Sequence, residues 1–271
     1  MCAYVYSMLL RSLVMLSASL MYRLPAAFDA TTENTAQPCR IMGTVFQQGD
    51  CSSCAAFASA SALSMRLCLV EKEDYIPSPY RLFDCVSPSC ENGTNLRYTG
   101  AALMRGIPDV SASPRRFGLG CHHTKGLFDR LLYGYIVGLT NAMRLDLYLF
   151  GPSIVALHGT PAFAEYTGGV YHPTHVGPDM TKHSVVLVGW GSLPEPHWVV
   201  LNSWGPTWGE KGKARVAAGV FQSHYSWRTK TETVVESSLL FGYFAFLFFA
   251  VAACGVFLPD KDARWLVDDV V

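Results

Sequence analysis

Apolar positions along the chain change their spacing near Gly151: before it they fall in helical runs, after it in short Val-rich runs closed by Gly and Pro. The Ala, Leu and Met content of 55–68 predicts one helix, and Asp50, Ser52 and Ser53 supply cap-type residues ahead of it. Cys54 therefore stands at or beside a helix N-terminus. Residues 74–100 hold prolines, cysteines and turn formers, and predict an irregular loop with a short helix over 80–84. A further helix is expected over 100–105, closed by Gly106, and 127–150 begins strand-like and turns helical around 141–149. The runs "SIVALHG", "HSVVLVGWG", "HWVVLNSWG" and "KARVAAG" predict strands. A helical, cysteine-rich first half and a β-rich second half predict an α+β protein of two lobes.

Both ends depart from this pattern. Residues 237–258, "SSLLFGYFAFLFFAVAACGVFL", contain no charge over 22 positions, against the roughly 20 that cross a bilayer as a helix. They are apolar all round, so a transmembrane helix is expected there, followed by a short tail over 259–271. Arg228 and Lys230 before the span balance Lys261 and Arg264 after it, so orientation is not set by charge. Residues 1–23, with "MLLRSLVMLSASLM", read either as a degenerate signal peptide or as an artefact of the assigned start.

Lys plus Arg and Asp plus Glu number 21 each, so net charge gives no sign of a nucleic-acid partner. Cysteine changes the picture more. Of nine, seven lie between Cys39 and Cys121, which points to an oxidising compartment or a metal site. A thiol at a helix N-terminus meets the positive end of the macrodipole, so the Cys54 thiolate is expected to be favoured. Taken alone, Cys51-x-x-Cys54 leaves a redox pair and a buried structural thiol open, and Cys85, Cys90, Cys121, His122 and His123 could be imagined around zinc. Their spacing lacks paired Cys-x-x-Cys ligands.

A nucleophilic cysteine needs a base and a group to orient that base. His183 and Asn202 lie 129 and 148 positions beyond Cys54, in "KHSVVLVGWG" and "NSWGPTWGEKG". With "LPAAFDA" at Leu24, "QQGDCSSCAAF", "ENGT", "YGY", "FGPSIVAL" and "YTGGVYH" preceding these in the family's order, the chain resembles the papain-family cysteine proteases, within them the cathepsin B-like branch, from Leu24 to Gly219. The resemblance implies a papain-like two-lobed fold over 24–230, with a helical, disulfide-rich lobe over roughly 24–120, a β-barrel-like lobe over roughly 121–230 and the active-site cleft between them. It implies Cys54 as nucleophile, His183 as its ion-pair partner, Asn202 as the amide orienting the imidazole, and Gln48 as an oxyanion-hole donor. Trp204 and Trp208 would shield the His and Asn pair. Trp204, Asn92 and Gly93 would also contact substrate. Disulfides Cys39–Cys68, Cys51–Cys90 and Cys85–Cys121 are implied as well, the first marking the cathepsin B branch. No metal or cofactor is expected. The partners would be peptide or protein substrates and, through 237–258, a membrane, with the catalytic domain in the lumen of a lysosome-like or secretory compartment or at the cell surface.

Several positions depart from the family pattern. Ala55 replaces the large aromatic that follows the nucleophile, which leaves a packing gap and an alternative: a weakened or inactive pseudoprotease that binds peptides. Asn92 stands where the family has glycine, which Asn can mimic if its backbone is left-handed. It also heads an "NGT" sequon, expected to be unmodified because a glycan would crowd the cleft. "GCHH" at 120–123 resembles the paired histidines of the cathepsin B occluding loop, yet the segment from Gly106 to Tyr133 is about half the expected length. Endopeptidase activity is therefore expected over dipeptidyl carboxypeptidase activity. Only 23 residues precede Leu24, too few for the family's inhibitory propeptide: either the gene model is truncated or latency is controlled differently. The pocket for the second residue before the scissile bond is expected to draw on "GVFQSHYSWRTKTETV", with specificity open.

Overall fold

One helix is buried on every side, and the other elements are arranged around it. The computed structural model describes residues 24–32, 39–124, 131–136, 140–173, 182–221 and 223–229. Helix α1, Cys54–Arg66, has no exposed residue, because its alanines and serines are small enough to let neighbours close on both flanks. Phe57, Ala58, Ala62 and Met65 pack toward strand residues Ile154, Val186, Val188 and Leu201. Ala56, Ala60 and Leu63 meet Leu82, Phe83, Ala102 and Leu103 on the other flank. The buried hydroxyls are satisfied, Ser64 donating to the Ala60 carbonyl at 2.6 Å and Ser59 pairing with Thr99 at 2.8 Å.

The flanking helices are α2, Pro79–Asp84, and α3, Leu96–Arg105. Ser78 caps α2, with proline in its first turn, and Asn95 caps α3 by accepting from Arg97 N–H and Tyr98 N–H. The second cap starts α3 four residues earlier than expected, so the end of the presumed loop is helical. Gly100 is required inside α3: a Cβ there would lie 2.5 Å from the Trp227 ring. The α1 pattern, expected to run as one helix to residue 68, turns after Arg66 into a π-helical turn, Leu67–Glu71, ended by left-handed Lys72.

The strands are β1 (Phe28–Asp29), β2 (Leu131–Ile136), β3 (Ser153–His158), β4 (Val170–Tyr171), β5 (Lys182–Gly191), β6 (His197–Leu201), β7 (Lys213–Ala217) and β8 (Ser223–Thr229). They form one sheet in the order β2-β8-β3-β5-β6-β7-β4, with β1 on β5. Pairing is antiparallel except for β4 with β7. Strand β5 is buried along all but its first residue, which explains its continuous apolar run. Helix α4, Thr140–Phe150, places Met143 and Leu147 against Val155, Leu187 and Trp190, and α5, Pro161–Ala164, adds Phe163.

Among the described residues, the stretch Cys54–Glu71 is apolar and long enough to cross a membrane, but 78% of it is buried within the fold. The expected leader, the membrane span 237–258 and the tail lie outside the described residues.

The end of α1 carries a buried charge. Arg66 is fully buried and donates to Asp146 Oδ2 at 2.6 Å and to the carbonyls of Pro152, Trp227 and Gly151. Ser226 Oγ donates to the same Asp146 oxygen at 2.8 Å. Arg66→Met should cost about 3–5 kcal/mol of unfolding free energy, because it leaves a buried carboxylate and several carbonyls without their donor. Denaturant unfolding of the two proteins tests this, and a loss under about 1 kcal/mol would contradict it.

Candidate active site

The head of α1 is shaped by a carbonyl just ahead of it. Cys51 O accepts from Ser53 N–H at 2.7 Å, Ser53 Oγ at 3.2 Å and Gln48 Nε2 at 2.8 Å. Ser53 occupies the cap position, but its hydroxyl is drawn back to that carbonyl and makes no cap bond, contrary to the expected capping. Cys54, the first helical residue, is the free cysteine among those described.

Three disulfides surround it: Cys39–Cys68, Cys51–Cys90 and Cys85–Cys121. Cys51 is thus bonded away from Cys54, which leaves no Cys51–Cys54 redox pair. Cys85, Cys121 and His123 come together, but the two sulfurs are spent on each other.

Strand pairing brings the base to Cys54. His183 is the second residue of β5, facing Leu157 of β3, and Asn202 follows the end of β6, the neighbour of β5 on its other side. Asn202 Oδ1 accepts from Ser203 N–H at 2.8 Å, which fixes the amide with its oxygen toward the imidazole. His183 Nε2 lies 2.8 Å from that oxygen, so Nε2 carries the proton and Nδ1 is the other, acceptor nitrogen of the neutral ring. The Trp204 ring stacks on the imidazole with centroids 4.5 Å apart, and Trp208 meets Trp204 edge-on at 5.2 Å. Phe163 closes the cluster, 6.1 Å from His183.

Gln48 is held at both ends. Its N–H donates to Ser203 O, and its Oε1 accepts from Ser203 Oγ at 2.6 Å. Nε2 has two hydrogens, and the bond to Cys51 O uses one. The other is available to an acceptor in the cleft.

The electrostatics differ from the expected thiolate. Burial raises the Cys54 thiol pKa, and donors from Ser184 and from the Ala55 N–H lower it without reversing the shift. Burial likewise lowers His183 to about 4, partly opposed by its bond to Asn202. Burial thus disfavours the charged form of each group, the thiolate at Cys54 and the imidazolium at His183.

Cys54, Gln48, His183, Trp204, Asn92 and Gly93 line one cleft of about 610 Å3. Gly93 has φ +62°, and a Cβ there would stand 3.3 Å from Ser52 O. Asn92 is exposed and not left-handed: among described non-glycine residues only Lys72 and Lys211 have positive φ. Glycine mimicry at Asn92 is not needed, since the turn places its left-handed residue one position later. Ala55 is 2% exposed, so the lost aromatic opens no path to solvent there. Sequence reasoning missed Ser184, Ser203 and Phe163. Ser203 lies inside the quoted "NSWG" and Ser184 inside "KHSVVLVGWG", but nothing in the pattern announced Phe163.

With this geometry in hand, the relatives can be placed. The profile of the papain family cysteine proteases matches residues 24–233, and the chain belongs to that family. It is 34% identical over 229 residues to cathepsin C of Schistosoma mansoni, covering 74% of this chain and 50% of that protein. It is 30% identical to cathepsin K of Mus musculus, covering 72% of this chain and 60% of the relative. The chain thus spans about half to two thirds of the length of these relatives. Among solved structures, procathepsin L 3 of Tenebrio molitor larval midgut superposes with a TM-score of 0.64 at 25% identity, covering 75% of this chain and 70% of that one. Procathepsin B S9 of Trypanosoma congolense superposes equally well, at 0.64 and 23% identity, over 78% of this chain and 80% of its own, a likeness of fold.

Because His183 is kept neutral by burial, in Cys54→Ser its ring should titrate near 4 by NMR, and lower still once Asn202→Ala removes the bond that supports the proton. The sign carries to stability. The unfolded ring takes a proton below about 6.5 while the folded one resists, so stability falls from about pH 6.5 toward 4, by at most about 3 kcal/mol. That slope should be absent in Cys54→Ser with His183→Gln. Titration of the ring at its ordinary 6.5 would refute the account.

Proposed function

We propose that the chain is a cysteine peptidase that cleaves peptide bonds by acyl transfer through Cys54. The observation that carries this reading is the convergence of Cys54, Gln48 and an Asn202-bonded His183 on one cleft. As a substrate carbonyl approaches, the thiol proton passes to His183 Nδ1 and sulfur attacks carbon. Negative charge then develops on the carbonyl oxygen, where the remaining Gln48 Nε2 hydrogen and the Cys54 N–H can donate. His183, protonated, gives its proton to the leaving amine. Water then enters, the imidazole takes a proton from it, and the thioester is hydrolysed to regenerate the thiol.

Asn202 holds the ring through these transfers, and stacked Trp204 keeps water from that bond. A role for Asn92 and Gly93 in meeting the substrate backbone is supported by their lining the same cleft. Endopeptidase action is the favoured form, supported by the fact that neither His122 nor His123 lines the cleft. The cathepsin B-like branch is supported by the Cys39–Cys68 bridge. The three disulfides favour an oxidising lumen or the cell surface. Attachment to a membrane through 237–258 rests on the uncharged run of the sequence.

Labelling with an epoxide directed at papain-family thiols should modify the wild type at Cys54 and fail with Cys54→Ser and His183→Ala. An unlabelled wild type would remove the main support for the proposal. On a peptide substrate, Gln48→Ala should lower kcat about 10²–10³-fold, the scale of one oxyanion donor, with a smaller effect on KM.

A further inference from the structure

Beside the cleft lies a second cavity, of about 680 Å3, that meets it at Cys54, Thr94 and Lys182. Its walls include apolar Leu96, Ala156 and Tyr225, and its charged lining residues are two cations, Arg97 from α3 and Lys182 at the start of β5. Among the described residues, no carboxylate lines it. The cleft on the other side of Cys54 has the opposite character, with Asp50 and Glu91 among its lining residues.

Neither cation is committed elsewhere: among the described residues, no hydrogen bond or ion pair engages the side chain of Arg97 or Lys182. Arg97 also acts into this space. Burial raises the pKa of the Tyr225 phenol, and the positive charge of Arg97 opposes that shift. Lys182 is exposed at the junction of the two cavities, one residue before His183. Arg97 and Lys182 thus approach one apolar-walled space from two different elements, without a counter-charge among the described residues.

We propose that this cavity receives the acidic side chain of a peptide substrate, aspartate or glutamate, at the second residue before the bond to be cut. The proposal rests on the peptidase reading above and adds a substrate class to it. The segment expected from sequence to serve that position contributes Ser223, His224 and Tyr225 to the lining. An apolar wall takes the methylenes of the side chain, and its carboxylate gains charge-assisted bonds that an amide of the same shape does not. Position and charge are thus selected by different parts of one pocket.

The experiment compares peptides that differ only at that position, Glu against its isostere Gln, and then Leu and Lys. Equilibrium binding is read by fluorescence anisotropy on Cys54→Ala protein, and kcat/KM on the wild type. Glu should exceed Gln about tenfold or more in binding and in kcat/KM. Arg97→Glu with Lys182→Glu should abolish that ratio and favour Lys. Because Lys182 adjoins His183, its replacement can alter turnover, but the Glu to Gln ratio cancels any effect common to both peptides. Arg97→Gln, outside the cleft that His183 lines, should lower the ratio by itself. Equal binding of Glu and Gln, a preference for Leu over both, or a ratio untouched by the charge changes would overturn the proposal. A wild type that binds Glu over Gln but cleaves neither would uphold the pocket and defeat the peptidase reading instead.

Discussion

The buried ion pair between Arg66 and Asp146 is the constraint on which the rest of the arrangement depends. Removing each ion from water costs several kcal/mol, and the site answers with a short carboxylate bond, a serine hydroxyl and three carbonyls. Those partners come from α4, from the 151–152 turn and from β8, so one side chain at the end of α1 gathers three separate stretches of chain. Helix α1 is about 20 Å long, and Cys54 is at its other end. A rod fixed at one end by a charge and along both flanks by packing delivers its first residue to a set position. His183 arrives independently, on a strand buried from its second residue to its last. The reacting pair is thus set by two elements that are buried along almost their whole length.

Burial that fixes the two groups also works against their charges. The thiol is pushed up and the imidazole down, so the site holds one mobile proton between two reluctant owners. Around them the polar groups are fixed: the Asn202 amide by Ser203 N–H, and the Gln48 amide by Ser203 Oγ and Cys51 O. One serine therefore orders both amides. Preorganisation here means that dipoles are already oriented while charge has yet to form.

Much of this was legible in sequence where one physical signal dominated. Strand β5 was readable because it is buried on both faces, and α1 because alanine and leucine recur without a breaker. Strand β8 was not, since His224 and Ser226 read as polar surface until Ser153 and Asp146 are seen to satisfy them inside the protein. Helix α3 began early because Asn95, one residue in a turn-rich stretch, turned out to be its cap. The thiolate expectation failed because a helix terminus can be recognised from its sequence, whereas desolvation depends on contacts from residues more than a hundred positions away. The order of Gln48, Cys54, His183 and Asn202 survived as geometry, since a motif encodes spacing along strands whose pairing brings its members together.

The three donors gathered on the Cys51 carbonyl have a consequence for the molecule as a whole. By drawing the Ser53 hydroxyl away, they leave the first turn of α1 to be satisfied without a side-chain cap: Ala56 N–H and Phe57 N–H donate to Ser53 O, and Ala55 N–H to the Cys54 sulfur. The turn that starts the helix is therefore also the turn that holds the reacting sulfur. Occupancy and cohesion are linked at this one stretch of backbone: a ligand that binds only the folded cleft stabilises the head of the central helix with it.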